Sequence, residues 1–146
     1  MVSNTSLMGL YYTKIAKSLK YLEYSFKRTS TMPFNPAQMS DSELEAWDGF
    51  AARFARTSDI FLSKYIRAFI LHDDPTFDGG FRDQLNRAEK LGLIHDANVW
   101  MEIRELRNAT VHEYSDQDLE KIFEKFRKFT PLLLELAKKI EHETES

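Results

Sequence analysis

One short segment gathers residues able to do chemistry. From Arg104 to Tyr114 the chain reads Arg-Glu-Leu-Arg-Asn-Ala-Thr-Val-His-Glu-Tyr, placing Arg107, Asn108, His112 and Tyr114 within eight residues. A histidine titrates near neutral pH and can accept or donate a proton. An arginine is a permanent cation with a planar donor fork, suited to a phosphate whose charge grows in a transition state. RNA brings its own nucleophile, the 2′-hydroxyl. Its cleavage needs a proton acceptor, a proton donor and charge stabilisation, and no metal or other cofactor. Arg107 and His112 are the candidate catalytic residues. Asn108 and Arg104 are the candidates for binding or orienting substrate. The ordinary alternative is a helix C-terminus, whose dipole attracts cations. Asn108 would then be a local cap, and Tyr114 an aromatic packed over the last turn.

Helical geometry constrains such a site. At about 100° per residue, Asn108 and His112 share a face, and Arg107 nearly aligns with Tyr114 if the helix reaches that far. Arg107 and His112 diverge by about 140°. Either the helix unwinds before His112, or a second copy completes the site across a two-fold axis. The second option is preferred.

The elements that must hold this segment are helical. The chain is rich in helix formers, has 5 Gly and 4 Pro, and shows no strand-like alternation. A first helix is expected over Leu7 to about Lys27, with Leu7, Tyr11, Ile15, Leu19, Leu22 and Phe26 on one face. Pro33 and Pro36 mark a loop. A second, long helix begins with a capping-box spacing, Ser40 with Glu43 or Ser42 with Glu45. It carries Leu44, Trp47, Phe50, Phe54, Phe61, Tyr65 and Phe69 to about Leu71, an aromatic stripe expected to be core or dimer interface. A short third helix covers about Phe81 to Leu91, with Gly92 as a left-handed cap. A fourth starts near Asp96 or Ala97 and ends near His112. A fifth starts at Ser115, paired with Asp118, and contains Pro131, which should kink it. The expected architecture is an all-α, antiparallel bundle of four main helices plus a short one, in a single domain over residues 1–146.

The segment Arg107-Asn-Ala-Thr-Val-His112-Glu-Tyr114 matches the Arg-x4-His-x-Tyr signature, and on it the chain resembles HEPN-domain toxins of the HepT kind. The flanking Gly92-Leu-Ile, Trp100 and Arg104-Glu-Leu-Arg107-Asn are similar to the same group. The resemblance implies a homodimer whose Arg107 and His112 line a cleft at the dimer interface. It implies a metal-independent endoribonuclease of a type II-like toxin–antitoxin pair, neutralised by a minimal nucleotidyltransferase. In such pairs the motif tyrosine, here Tyr114, can be modified with AMP. A second reading makes the chain a non-catalytic nucleotide- or substrate-binding partner of that nucleotidyltransferase. A third is an adaptor dimer, against which the intact Arg107, His112 and Tyr114 weigh.

Bulk properties limit the rest. There is no cysteine, which excludes disulfides and thiolate zinc sites. No stretch approaches the roughly 20 apolar residues that span a bilayer, and Met1 to Leu10 lacks the pattern of a signal peptide. A cytoplasmic protein is expected. The net charge of −3 is not that of a typical nucleic-acid-binding domain, so any RNA contact requires a local patch. Arg53, Arg56 and Arg67 could widen a basic groove; a solvated face with acidic neighbours is the alternative. His72-Asp73-Asp74 with Asp78 reads as turn chemistry rather than a metal site, and His95-Asp96 as a helix start.

Overall fold

The periodic apolar residues of the N-terminal segment do form one buried face. In the computed structural model, which describes residues 4–108 and 114–145 (side chains from 6 and up to 141), α1 spans Asn4–Arg28. Met8, Ile15, Leu19 and Leu22 are buried along it, with Leu7, Tyr11 and Phe26 packed at its margins. Two 3₁₀ turns, Thr29–Thr31 and Pro36–Gln38, carry the chain to α2.

Of the two capping pairs offered by the sequence, Ser40 with Glu43 is used. Glu43 N donates to Ser40 Oγ at 3.2 Å and Ser40 N to Glu43 Oε1 at 3.0 Å. Helix α2 then runs Asp41–Asp59, passes into a π-helical turn, Ile60–Tyr65, and continues as α3, Ile66–Asp73. In the turn the Ile66 N–H bonds back to the Phe61 carbonyl, five residues away rather than four. The wider turn re-phases the buried stripe. Phe54 and Phe61 belong to the first phase; Leu62, Ile66 and Ile70 are the fully buried residues of the second. Phe69, at the end of the stripe, is only partly buried, because the π turn moves the core face on by one residue.

The short helix α4 spans Phe81–Lys90 and ends in a Schellman motif. Leu93 N donates to Ala88 O at 2.9 Å and Gly92 N to Glu89 O at 3.0 Å, with Gly92 at φ +83°. Asp96 caps α5, Ala97–Arg107, by accepting from Asn98 N at 2.9 Å. Ser115 caps α6, Asp116–Glu145, accepting from Asp118 N at 3.2 Å. Pro131 lies inside α6, and the helix continues past it. No strand occurs among the described residues, and none of their helices is long and apolar enough to cross a membrane.

The α2–α3 rod is the hub, packed against α1, α4, α5 and α6. It runs antiparallel to α1, since Ser18 meets Thr57 while Arg53 reaches Tyr21 and Ser25. It runs parallel to α6: Trp47 stacks on Phe123 at 4.6 Å, Phe54 meets Phe126 at 5.0 Å, and the Tyr65 hydroxyl donates to Ile140 O at 3.4 Å. Each such fully buried aromatic contributes about 1.5–3 kcal/mol by burial, so this seam supplies much of the core. At the far end of α1, Arg127 of α6 lies 4.2 Å over the Phe26 ring and donates to Phe26 O at 2.7 Å and Thr29 Oγ1 at 3.0 Å. Burial pushes its guanidinium below the usual arginine range.

Candidate functional site

Arg107 ends α5, where the last carbonyls of a helix favour a cation. Its Nη1 donates to Asp59 Oδ1 and, at 3.3 Å, to Ser63 Oγ. Ser63 in turn donates to Asp59 Oδ1 at 2.9 Å. The three side chains form a closed ring of hydrogen bonds. Asp59 is the last residue of α2 and Ser63 sits in the π turn, so the turn places both opposite the end of α5. Phe61, from the same turn, packs on Trp100 of α5 at 5.0 Å and fixes the approach of the two helices. The Arg107 side chain is 22% exposed and that of Asp59 49%. The guanidinium is thus oriented at the surface rather than buried. Both bonds use Nη1; among the described residues Nη2 and Nε carry none.

The other residues expected to act have separate placements. Arg104 is half-buried, and its guanidinium lies 3.8 Å over the Phe81 ring of α4, a cation–π contact on a different neighbour from that of Arg107. Asn108 is exposed and is the C-cap of α5 at φ −91°, ψ 0°, its N–H bonding to Glu105 O at 3.1 Å. Tyr114 is 42% exposed and lies just before the cap of α6. His112 lies outside the described residues.

One expectation is corrected here. The fourth helix was to end near His112; α5 ends at Arg107. Asn108 tightens the last turn with an i to i−3 bond. Residues 109–113, His112 among them, lie outside the described residues.

Asp59 and Ser63 were not legible as partners of Arg107. The available signal was the polar group Thr57-Ser58-Asp59, with Ser63, inside an otherwise aromatic helix. Elsewhere, Asp74 Oδ1 accepts from Thr76 Oγ1 at 2.7 Å and Thr76 N at 3.1 Å, an Asx turn. Asp96 serves as a helix cap, as its position suggested.

A family model described as nucleotidyltransferase substrate binding protein like matches residues 10–142. The chain belongs to this family. The match takes in every element of the Arg107 site, from α1 through α6. The family includes helical proteins of the HEPN type, and to that level it agrees with the resemblance carried by the Arg107 motif. Its description ties such chains to a nucleotidyltransferase. No curated protein and no solved structure matches the chain.

Proposed function

We propose that this chain is a HEPN-type partner of a nucleotidyltransferase and, when unrestrained, a metal-independent endoribonuclease toxin. The observation that carries the reading is the Arg107 guanidinium, fixed by Asp59 and Ser63 at the first residue of the Arg-x4-His-x-Tyr motif. A preset cation needs little reorganisation when charge develops on a phosphate. His112 takes the proton of the RNA 2′-hydroxyl, whose oxygen attacks the adjacent phosphorus. The 5′-oxygen leaves with a proton from a second acid, and a cyclic phosphate remains. The second copy of a homodimer supplies that acid, its own His112. Tyr114, with its side chain exposed, is open to AMP transfer from ATP by the partner. Its oxygen attacks the α-phosphorus and pyrophosphate departs, leaving a bulky anion beside the motif.

The test is expression of wild type, Arg107→Ala and His112→Ala without a partner, scored for growth arrest and for cleavage of total RNA in EDTA. Arrest and EDTA-resistant cleavage are expected for wild type alone. Loss of either catalytic side chain should slow cleavage by about 10²–10³ or more. If purified, unmodified wild type leaves RNA intact, the catalytic reading fails. The family description then favours a second reading, in which Arg107 holds a nucleotide phosphate for the nucleotidyltransferase without cleaving it.

A further inference from the structure

The outer face of the α1/α2–α3 pair has a charge quite unlike that of the whole chain. Helix α1 carries Lys14, Lys17, Lys20, Lys27 and Arg28 against a single carboxylate, Glu23, which is already paired with Lys27. From Arg53 to Leu71 the rod carries four cations and one carboxylate, Asp59, which is held by Arg107. Two depressions of about 260 and 210 Å³ follow each other between the helices. The first is bordered by Lys14, Lys17, Tyr21 and Arg56, the second by Lys64 and Arg67, and among the described residues no carboxylate lines either. These five cations are exposed, and none is in an ion pair among the described residues. Tyr21 and Tyr24 are 47% and 60% exposed and lie 5.6 and 5.7 Å from the Arg53 guanidinium, so their rings are backed from the rod.

We infer that this groove is a binding track for single-stranded RNA leading to the Arg107 site. A cationic channel flanked by exposed aromatic rings is the arrangement that follows a backbone while bases stack. Arg56 to Arg67 covers roughly 16 Å of helix, enough for about four phosphates of a stacked strand. A lone phosphate would use only one end. The track and the site share a residue: Ser63 lines the second depression and accepts from Arg107. The inference rests on the reading of the Arg107 motif as an RNA site, and its test is separate from cleavage.

The probe is a fluorescein-labelled 2′-O-methyl oligouridylate of about ten nucleotides, which lacks the free hydroxyl and cannot be cleaved. Binding is followed by anisotropy across a salt series, with folding checked by circular dichroism. Lys14→Gln/Lys17→Gln and Lys64→Gln/Arg67→Gln should each weaken binding about tenfold and flatten the log–log salt dependence by about 1.4. Tyr21→Ala should weaken it about fivefold or more. Lys121→Gln/Lys138→Gln, exposed on α6, should bind as wild type. Groove variants that fold and bind the probe like wild type would overturn the inference. So would Lys64→Gln/Arg67→Gln variants that change from dimer to monomer with RNA affinity intact, which would make the groove a contact between copies. Failure of the cleavage assay with these binding results standing would overturn only the catalytic reading.

Discussion

Removing Asp59 should separate the holding of Arg107 from the fold. The ion pair joins side chains 22% and 49% exposed, so it stands in partly screened solvent. Such pairs contribute roughly 0.2–1 kcal/mol, and the exposed Ser63 bond adds a fraction of a neutral hydrogen bond. Asp59→Ala should therefore cost about 1 kcal/mol and lower Tm by only about 3 °C for a chain of this size. The functional effect has another origin. Without Asp59 the Arg107 side chain regains rotamer freedom, and ordering it at each turnover costs about 0.5–1.5 kcal/mol. For the proposed ribonuclease that corresponds to an about two- to twelvefold slower cleavage, at about 1.4 kcal/mol per factor of ten. Arg107→Ala should lose about 10²–10³, because it removes the cation itself. Single-turnover cleavage of a short RNA, beside thermal melts of the same samples, measures both. If Asp59→Ala cleaves like wild type, the ring of hydrogen bonds does not preset the arginine. If it loses as much as Arg107→Ala with Tm unchanged, Asp59 takes part in the reaction and the positioning argument is wrong.

Other perturbations probe the scaffold. Phe61→Ala empties a fully buried site against Tyr65 and Trp100 and should cost about 3–5 kcal/mol by urea unfolding. Gly92→Ala meets no atom within 4 Å but sits at φ +83°, so a loss of about 1–2 kcal/mol should come from the backbone alone. Asp74 is held below the ordinary carboxylate range, chiefly by the Thr76 hydroxyl, then by the Thr76 N–H and Arg87. With the folded value below the unfolded one, its contribution is present at neutral pH and is lost on acidification through the carboxylate range. Asp74→Asn should therefore lose less stability than wild type between about pH 6 and pH 3, as followed by denaturant midpoints.

What the sequence made legible was local. Ser40 with Glu43, Asp96, Ser115 and Gly92 each act on a backbone group within a few residues, and each does what its position suggests. The apolar stripe of α1 is read by the same short-range logic. The π turn hid because both phases are apolar there. Phe61, Tyr65 and Phe69 lie beside Leu62, Ile66 and Ile70, so either register looks like a core face. Packing against α1 and α5 decides between them, and that is tertiary information. The Arg107 site divides the same way. The motif is contiguous, but Asp59 is 48 residues away and becomes its partner only through the turn that the pattern concealed. The parallel course of α2 and α6 is likewise a property of the assembled bundle.

The clasp between Arg127 and the end of α1 carries a consequence for the newborn chain. The carbonyl of Phe26 and the guanidinium that meets it are 101 residues apart. At about 5–20 residues per second of synthesis, the last turn of α1 waits roughly 5–20 s for its clasp. During that interval Phe26 lacks the cation that will cover its ring, and the aromatic face of α2 lacks Phe123 and Phe126. The segment with Arg107 and His112 leaves the ribosome before α6. The Arg107 motif is thus translated ahead of the helix that consolidates its scaffold. This order delays the finished packing of the bundle until α6 has been made.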